Sequence, residues 1–370
     1  MASKILILYA SAGHGHEKAA KAMEAECHKA GVSEVGLVDM LKMTSGCFGD
    51  GYRAVYFFMI RQIPWLWGFL YAVTDWGWAY FFIRPLRRVN NQFFAKNLET
   101  FVESEAPDVV IATHFLATEV VSNLKKTGRV KCRLITVVTD YMPHSFWITG
   151  QTDSYAVATQ LTKEAMVRRG VPEEKISITG IPIEPKFSSG LTRDQASRSL
   201  GLDPSAFTVL VTSGGAGVGI AGALVDRLSI LEPPMQQLVV CGTNGTLLNQ
   251  LRGKYAGRPW LHFYGFVDNI HELMAASDLI VGKGGGLTIT ESLCVGKPMV
   301  LFGAVPGQET RNVDQVVACG AAKRARSLNE VVEQVTAFRK DTRLYREASE
   351  AIEKIRCLNS AEKILRLALN

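Results

Sequence analysis

The cysteines of this chain are few and do not form a pattern. Seven Cys occur among 370 residues at irregular spacings, without a Cys-x-x-Cys pair, and no small-residue cleavage site follows an apolar N-terminus. Disulfide frameworks, zinc sites and secretion signals each leave such a pattern in a sequence. We therefore expect reduced thiols, no zinc site and a cytoplasmic protein.

The familiar nucleotide-binding loops are also missing. No Gly-Lys-Ser/Thr triplet closes a Walker loop, which disfavours an ATPase. Gly13 and Gly15 follow the first predicted strand, but Lys18 stands where a dinucleotide-binding loop requires its third glycine. A dinucleotide cofactor is therefore not expected.

The length and the charge of the chain predict two domains and one basic region. A chain of 370 residues exceeds what one hydrophobic core usually serves. The net charge of +6 is modest for this length, and six basic residues against two acidic ones lie between Gly51 and Thr100. We place the domains at residues 1–187 and 188–370, with the last helix free to pack back on the first domain, and we predict no nucleic-acid partner.

Alternating apolar strands and helices predict an α/β fold in which polar side chains gather at strand ends. Lys4–Tyr9 is an apolar run typical of a buried parallel strand, and the loop Ala10–His16 separates it from a helix predicted over Glu17–Ala30. A neutral imidazole at the carboxyl end of a parallel sheet stands where α/β proteins bind ligands, and it can accept a proton near neutral pH. His16 is therefore a candidate base, and the alternative is a solvated or structurally bonded loop histidine.

Two glycine-rich loops in the second half precede helices. Ser213–Gly219 follows a strand predicted over Thr208–Thr212, and Lys283–Gly286 follows a strand predicted over Asp278–Val281. Backbone N–H groups at such loops and at a helix N-terminus bind phosphate. The candidate phosphate-binding residues are Gly214, Gly215, Gly284, Gly285, Gly286 and Thr288, the last of which is predicted to begin a helix.

Further polar features of the second half predict a nucleotide-sugar ligand. Glu291 lies in the first turns of the helix after Gly286, where a carboxylate can accept hydrogen bonds from ribose hydroxyls. Gln308 and Glu309 stand side by side in a predicted turn and suit sugar hydroxyls, and the backbone at Val267 suits the edge of a base. Any βαβ unit has glycines at its strand ends, so the interpretation depends on the order of these features rather than on one loop.

Residues Cys47–Phe94 depart from the composition of an ordinary globular protein, because they hold four of the six tryptophans. Their longest uncharged run, Gln62–Thr74, is shorter than the roughly 20 apolar residues of a membrane-spanning helix. Aromatic rings flanked by arginines are instead typical of a segment that lies in the interface of an anionic membrane. The alternative is an aromatic-rich pair of core helices. The candidate membrane residues are Trp65, Trp67, Trp76, Trp78, Arg84, Arg87 and Arg88.

The order and spacing of these motifs resembles a known family. The pattern G-K-x-G-G-x-T-x-x-E-x-x-x-x-G-x-P from Gly282, followed by P-G-Q-E-x-x-N ending at Asn312, resembles the nucleotide-sugar signature of family 28 glycosyltransferases. With the glycine-histidine loop, the aromatic stretch and the V-T-D sequence at Asp140, nearly the whole chain resembles the monogalactosyldiacylglycerol synthase and diacylglycerol glucosyltransferase family. His16 takes the position of this family's loop histidine, and His14 replaces a glycine.

This resemblance implies two Rossmann-like domains facing a cleft, the GT-B type of glycosyltransferase fold. It implies that UDP-glucose or UDP-galactose binds the second domain, and that the sugar is transferred with inversion to diacylglycerol at the inner face of the cell membrane. It implies no cofactor and no metal, and no Asp-x-Asp triplet occurs in the chain. His16 becomes the base, with Asp140 as its alternative or orienting partner, and Asn312 joins the donor-binding residues.

Three other functions stay open from the sequence. A transferase that moves N-acetylglucosamine from UDP to a polyprenyl-diphosphate-linked acceptor shares the C-terminal motif. A UDP-sugar epimerase shares the two-domain fold, and a non-catalytic UDP-sugar sensor would keep binding without chemistry.

Overall fold

The computed structural model describes residues 4–11, 13–44, 46–76, 95–212, 221–231 and 234–370. These residues form two compact units. The first comprises the chain up to Glu184 together with Val305–Asn312 and Cys357–Asn370, and the second comprises Pro185–Ala304 and Val313–Arg356. Two segments from the second half of the sequence therefore belong to the first unit.

The first unit is built on a parallel sheet with the strand order β2-β1-β3-β4-β5-β6. Its strands are β1 Lys4–Tyr9, β2 Glu34–Asp39, β3 Val109–Ala112, β4 Arg133–Val137, β5 Ser154–Val157 and β6 Ile176–Ile178. Its helices begin with α1 His14–Lys29, α2 Met40–Met43, α3 Gly46–Gln62, α4 Pro64–Asp75, α5 Lys96–Glu105, α6 Phe115–Lys126 and α7 Gln160–Val167. A 3-10 turn, Ser145–Trp147, lies between β4 and β5.

The second unit repeats this plan with the strand order β12-β11-β10-β7-β8-β9, again parallel throughout. Its strands are β7 Thr208–Thr212, β8 Gln236–Val240, β9 Leu261–Tyr264, β10 Leu279–Gly282, β11 Met299–Leu301 and β12 Ala322–Arg324. The helices continue as α8 Arg193–Ser199, α9 Ala221–Leu228, α10 Gly245–Lys254, α11 Ile270–Ala276, α12 Gly286–Val295, α13 Gln308–Ala318, α14 Leu328–Lys340 and α15 Thr342–Ile355, and α16 Ser360–Leu369 returns to the first unit.

Both sheets are buried on their two faces, as the apolar runs predict. In β1, Ile5 and Ile7 lie in the core between the sheet and helices α1 and α16, whereas Leu6 and Leu8 lie in the core under α5 and α6. Side chains alternate between the faces of a strand, so a run without polar breaks fills both cores. The predicted α/β class is therefore confirmed.

Each sheet has a point at which its strand order reverses, and ligands of open α/β sheets bind beyond the carboxyl ends of the strands at such points. In the first sheet the reversal lies between β1 and β3, and in the second it lies between β10 and β7. The loops that follow these four strands include all the glycine and histidine loops identified in the sequence. The fold and the sequence motifs thus indicate the same loops as candidate ligand-binding segments.

The strand predicted over Asp278–Val281 is observed one residue later, at Leu279–Gly282. Three predicted helix starts were also wrong, and in each case the helix begins near a glycine. Helix α1 begins at His14 rather than Glu17, and α12 begins at Gly286 rather than Thr288. The predicted turn Pro306–Glu309 contains the start of α13 at Gln308. Strand β12, with the sequence Ala-Lys-Arg, was not predicted, because an edge strand with two basic residues has no apolar run to reveal it.

The return of α16 to the first unit requires a glycine at position 180. Gly180 has a φ of +76°, and a Cβ placed there would lie 2.6 Å from the Cβ of Cys357 and would also meet Ser360. Gly170 has a similar φ of +84°, but no atom lies within 4 Å of its notional Cβ. Substitution at Gly170 would therefore cause backbone strain alone, whereas substitution at Gly180 would cause both backbone strain and a steric clash.

We expect Gly180→Ala to destabilise the first unit more than Gly170→Ala does. Left-handed strain costs both variants about 1–2 kcal/mol, and overpacking against the Cys357–Ser360 segment adds about 1–3 kcal/mol to Gly180→Ala alone. Urea denaturation followed by tryptophan fluorescence measures the difference. Equal losses of the free energy of unfolding would contradict the close packing of this segment.

Candidate active site

His16 lies in the first turn of α1, directly beyond the end of β1. The helix begins early because Gly13 adopts a φ of 119°, which lets the chain turn sharply out of the strand. His16 is consequently presented at the edge of the first sheet where the strand order reverses, between the ends of β1 and β3. The prediction that this histidine stands at a strand end agrees with the structure, although it lies on the helix rather than in a loop.

Hydrogen bonds fix which nitrogen of His16 carries a proton. Nδ1 lies 2.8 Å from the backbone carbonyl oxygen of Thr113 and 3.0 Å from Oγ1 of Thr139. A carbonyl oxygen can only accept, so Nδ1 must donate to it and is protonated. In the neutral ring, Nε2 then carries the lone pair that a general base requires.

The surroundings of His16 favour its neutral form. The rings of His114 and Trp147 lie against it, with centroids 4.6 Å and 6.2 Å away. Burial lowers the pKa of His16 below its ordinary value, while the carboxylate of Asp140 and the carbonyl of Thr113 oppose this shift without cancelling it. His16 is therefore neutral at pH 7 and able to accept a proton.

Asp140 follows β4 and is held in place by three side-chain N–H donors. Oδ2 accepts a hydrogen bond of 3.2 Å from Nε1 of Trp147. Oδ1 accepts bonds from the side-chain amides of Gln308 at 2.7 Å and Asn312 at 3.3 Å. The two amides are four residues apart on α13 and so share one face of that helix. Asn312 also accepts a bond of 2.9 Å from the backbone N–H of Tyr141, which fixes the loop itself.

The structure places the predicted sugar-binding residues in two different roles. Gln308 and Asn312 belong to the first unit, where their side-chain amides contact Asp140. Glu309 lies beside them, but its carboxylate accepts a bond of 2.8 Å from the backbone N–H of Val305 and thereby fixes the turn that leads into α13. Thus Gln308 and Asn312 join the His16 and Asp140 site, and Glu309 contributes to the helix that carries them.

The second unit holds the predicted phosphate loop. The segment from Gly284 to Gly286 follows β10, and α12 begins at Gly286 without a side-chain cap from the described residues. The first backbone N–H groups of an uncapped helix point at the space beyond it, which suits a phosphate. Thr288 is half-buried in this first turn, and Glu291 is buried one turn later.

Three other predicted donor residues have different outcomes. Val267 is half-buried in the loop after β9, at the same edge of the second sheet as the end of β10. Gly214 and Gly215 lie outside the described residues, so their predicted role stays a prediction.

Helix α4 carries two of the predicted membrane residues, Trp65 and Trp67, on different faces. Trp65 and Phe69 are 69% and 61% exposed, and their spacing of four residues places them on one face of α4. Trp67 lies on the other face and packs edge to face on Tyr56, with ring centroids 5.4 Å apart, so it joins α4 to α3. Trp76 is 59% exposed and follows the end of α4 in extended backbone.

The remaining membrane predictions fall on residues 77–94. Trp78, Arg84, Arg87 and Arg88 lie outside the described residues. A search of the described part of the chain finds no helix with both the length and the apolar character needed to cross a bilayer.

Sequence reasoning missed a second carboxylate close to this site. Asp75, at the end of α4, accepts hydrogen bonds from Ser145 and Arg169 and pairs with Arg311. In the sequence it marks only the end of an apolar run, and its partner Arg311 is 236 positions away. No local signal predicts such a contact.

Comparisons with known proteins show the family to which the chain belongs. The family described as monogalactosyldiacylglycerol (MGDG) synthase matches residues 16–183, and the glycosyltransferase family 28 C-terminal domain matches residues 208–359. A processive diacylglycerol beta-glucosyltransferase of Bacillus cereus (strain Q1) is 30% identical over 355 residues, which cover 95% of this chain and 89% of that protein. The chain belongs to the MGDG synthase family. The family resemblance inferred from the motifs is thereby confirmed, and the protein is a glycosyltransferase.

Other members and solved structures place the family among wider relatives. A protein of the same description from Bacillus cytotoxicus (strain DSM 22905 / CIP 110041 / 391-98 / NVH 391-98) is 29% identical over 357 residues, covering 95% of this chain and 89% of that protein. Acinetobacter baumannii MurG covers 99% of both chains with a TM-score of 0.63 and 14% identity. The S. aureus MnaA–UDP structure covers 98% of this chain and 95% of its own, with a TM-score of 0.63 and 13% identity. These two structures confirm the GT-B type of fold for this family member.

We expect the imidazole of His16 to titrate below pH 6.5 in an NMR experiment, because burial lowers its pKa from that ordinary value. In Asp140→Asn the midpoint should fall further, since the lost carboxylate stabilises the imidazolium form. A midpoint above 6.5, or an upward movement in Asp140→Asn, would contradict the described surroundings of His16.

Proposed function

We propose that this glycosyltransferase moves a hexose from a UDP-sugar to the hydroxyl of diacylglycerol, with inversion and without a metal, at the cytoplasmic face of a membrane. The observation that carries the proposal is the fixed tautomer of His16. The Thr113 carbonyl holds the proton on Nδ1, so the neutral ring has its basic nitrogen, Nε2, at the strand-order reversal of the first sheet. The names of the relatives supply the acceptor, and the family signature supplies the donor.

In the proposed reaction the diacylglycerol oxygen attacks C1 of the sugar while its proton passes to Nε2 of His16. The bond between C1 and the phosphate oxygen breaks, and its electron pair leaves with UDP. Attack from the face opposite the leaving group inverts C1. A positioned base contributes about 10²- to 10⁴-fold to such a step.

Asp140 acts in this proposal as the charge that stabilises protonated His16. Its two oxygens already accept three hydrogen bonds from Trp147, Gln308 and Asn312. Those donors hold the carboxylate in place and engage both of its oxygens. His16 is therefore assigned as the base and Asp140 as its electrostatic partner.

The donor is assigned to the second unit. The UDP leaving group gains negative charge on its β-phosphate, and the backbone N–H groups at the start of α12 can stabilise that charge without a cation. Glu291 is assigned to the ribose, and Val267 to the uracil. Both UDP-glucose and UDP-galactose fit this assignment.

The exposed aromatic face of α4 is assigned to the membrane. Tryptophan and phenylalanine rings gain free energy at the boundary between headgroups and acyl chains, where apolar surface leaves water. Two large rings on one face of α4, Trp65 and Phe69, and a third just beyond its end, Trp76, are each more than half exposed and suit such a boundary. Arg84, Arg87 and Arg88 are assigned to anionic headgroups.

Incubation with diacylglycerol and each UDP-sugar, followed by mass measurement of the lipid, tests the function. We expect His16→Ala to retain UDP affinity but to lose at least about 10² in kcat, because only the base is removed. Glu291→Gln should show the opposite pattern, with weaker UDP binding by calorimetry and a smaller loss of kcat, because a ribose contact changes little in the transition state.

Three controls accompany this assay. EDTA treatment should leave the activity unchanged if no metal takes part. Donor conversion without lipid would indicate an epimerase, and UDP-sugar binding without any turnover would indicate a sensor. Equal losses of kcat and UDP affinity in both variants would contradict the division of roles between His16 and Glu291.

We expect replacement of Trp65 and Phe69 together by Ser to weaken binding to vesicles by about 10-fold or more, about 1.4 kcal/mol. The loss should be similar for neutral and anionic lipid, because the rings carry no net charge. Vesicle flotation measures the bound fraction. Ile230→Ser is the matched control, since Ile230 is 76% exposed but does not lie on α4.

Replacement of Arg84, Arg87 and Arg88 by Ala should weaken binding to anionic vesicles only, because each basic residue contributes about 1 kcal/mol of attraction to anionic lipid. The effect should disappear at high salt, because salt screens this attraction. An Ile230→Ser variant that loses as much binding as the double variant would contradict a membrane role for α4. A parent protein that does not float with anionic vesicles would also contradict this membrane role.

A further inference from the structure

Asp75 is a buried carboxylate whose hydrogen bonds join three separate parts of the first unit. It ends α4, and its side chain is 7% exposed. Oδ1 accepts bonds from the backbone N–H of Ser145 at 2.7 Å and from its hydroxyl at 2.8 Å. Oδ2 accepts a bond of 3.0 Å from Arg169 and pairs with Arg311. A buried carboxylate with this many donors strongly constrains the positions of all of them.

The partners of Asp75 are neighbours of the groups that hold Asp140. Ser145 begins the 3-10 turn that ends at Trp147, and Trp147 donates to Asp140. Arg311 lies on α13 between Gln308 and Asn312, which also donate to Asp140. Every described side-chain donor to Asp140 therefore belongs to a segment that Asp75 fixes at one point.

Other contacts of α4 hold the same segments. The guanidinium of Arg311 lies over the ring of Tyr71, 4.9 Å from its centroid. His144 Nε2 lies 3.0 Å from the backbone oxygen of Tyr71, to which it donates. At Gly68, a Cβ would approach within 2.6 Å of Pro306, so α4 packs closely on the segment that precedes α13. The inner face of α4 is thus packed on the carriers of the site, while its outer face is exposed.

We propose that Asp75 is a positioning residue that holds the Asp140 carboxylate in place beside His16 through Ser145 and Arg311. The proposal rests on the proposed function for its catalytic consequence, but its structural consequence is independent of any activity. Through Asp75, a helix with an exposed aromatic face fixes the position of a group in the reaction site. Lipid contact at that face and the geometry of Asp140 are then linked by one rigid helix.

The decisive variant is Asp75→Asn, which keeps the size of the side chain but removes its charge. Its amide group can no longer accept from both arginines, so the Ser145 and Arg311 segments lose their common anchor. We expect the NMR titration midpoint of His16 to fall toward that of Asp140→Asn, because Asp140 moves away from its place. In the transfer assay, kcat should fall at least 10-fold while the KM for the UDP-sugar stays within about twofold of the parent.

Glu99→Gln is the matched control. Glu99 is also a buried carboxylate of the first unit that pairs with an arginine, Arg129, at 2.5 Å. Glu99→Gln should lower the melting temperature of the protein without changing the NMR titration midpoint of His16 or the kcat of the transfer assay. Asp75→Glu, which keeps the charge, should retain more of the parent midpoint than Asp75→Asn does. If Asp75→Asn fails to fold, Arg311→Gln breaks the same connection from the other side and should lower the midpoint in the same direction.

The outcomes distinguish the two proposals. A His16 midpoint that moves in Asp75→Asn, in a parent that transfers no sugar, would support the positioning role and overturn the proposed function. A parent that transfers sugar, with Asp75→Asn and Arg311→Gln leaving both midpoint and kcat unchanged, would overturn the positioning role. A midpoint that moves equally in Glu99→Gln would also overturn it, because the effect would then follow from lost stability alone.

Discussion

The hydrogen bond from His16 Nδ1 to the carbonyl oxygen of Thr113 is the contact on which the geometry of the candidate site in the first unit depends. It joins the first turn of α1 to the end of β3, and in the neutral ring it leaves the lone pair on Nε2. The bond forms because β1 and β3 are neighbours in the sheet although about a hundred residues separate them in the chain. A change in strand order would therefore remove this contact as surely as a change of the histidine itself.

The carboxylate of Asp140 lies near the ring of His16, and its charge opposes the lowering of the His16 pKa by burial. Three N–H donors, from Trp147, Gln308 and Asn312, hold this carboxylate in place. The amides of α13 that make this possible come from the same P-G-Q-E-x-x-N motif that suggests sugar binding in the sequence.

The sequence pattern predicted those features of the fold that depend only on residues close together in the chain. The strands Lys4–Tyr9 and Thr208–Thr212 were predicted with their observed bounds, because an unbroken apolar run defines a buried strand without further context. His16 and Asp140 were predicted as site residues because polar side chains at the carboxyl ends of parallel strands stand where α/β proteins bind ligands. The pairing of Asp75 with Arg311 was not predictable, since it depends on packing between α4 and a segment far along the chain. The early start of α1 was missed because a positive φ at Gly13 is not visible in the sequence.

The return of α16 to the first unit has a consequence for the order in which the protein is made. Ile364, Leu365 and Ala368 complete the core that covers Ile5 and Ile7 of β1. A ribosome has therefore synthesised the whole second unit before one face of the first sheet can be closed. The second unit has all its strands available earlier, and domains generally fold as units during synthesis. The core of the half that is translated first is thus completed only by a helix that is translated last.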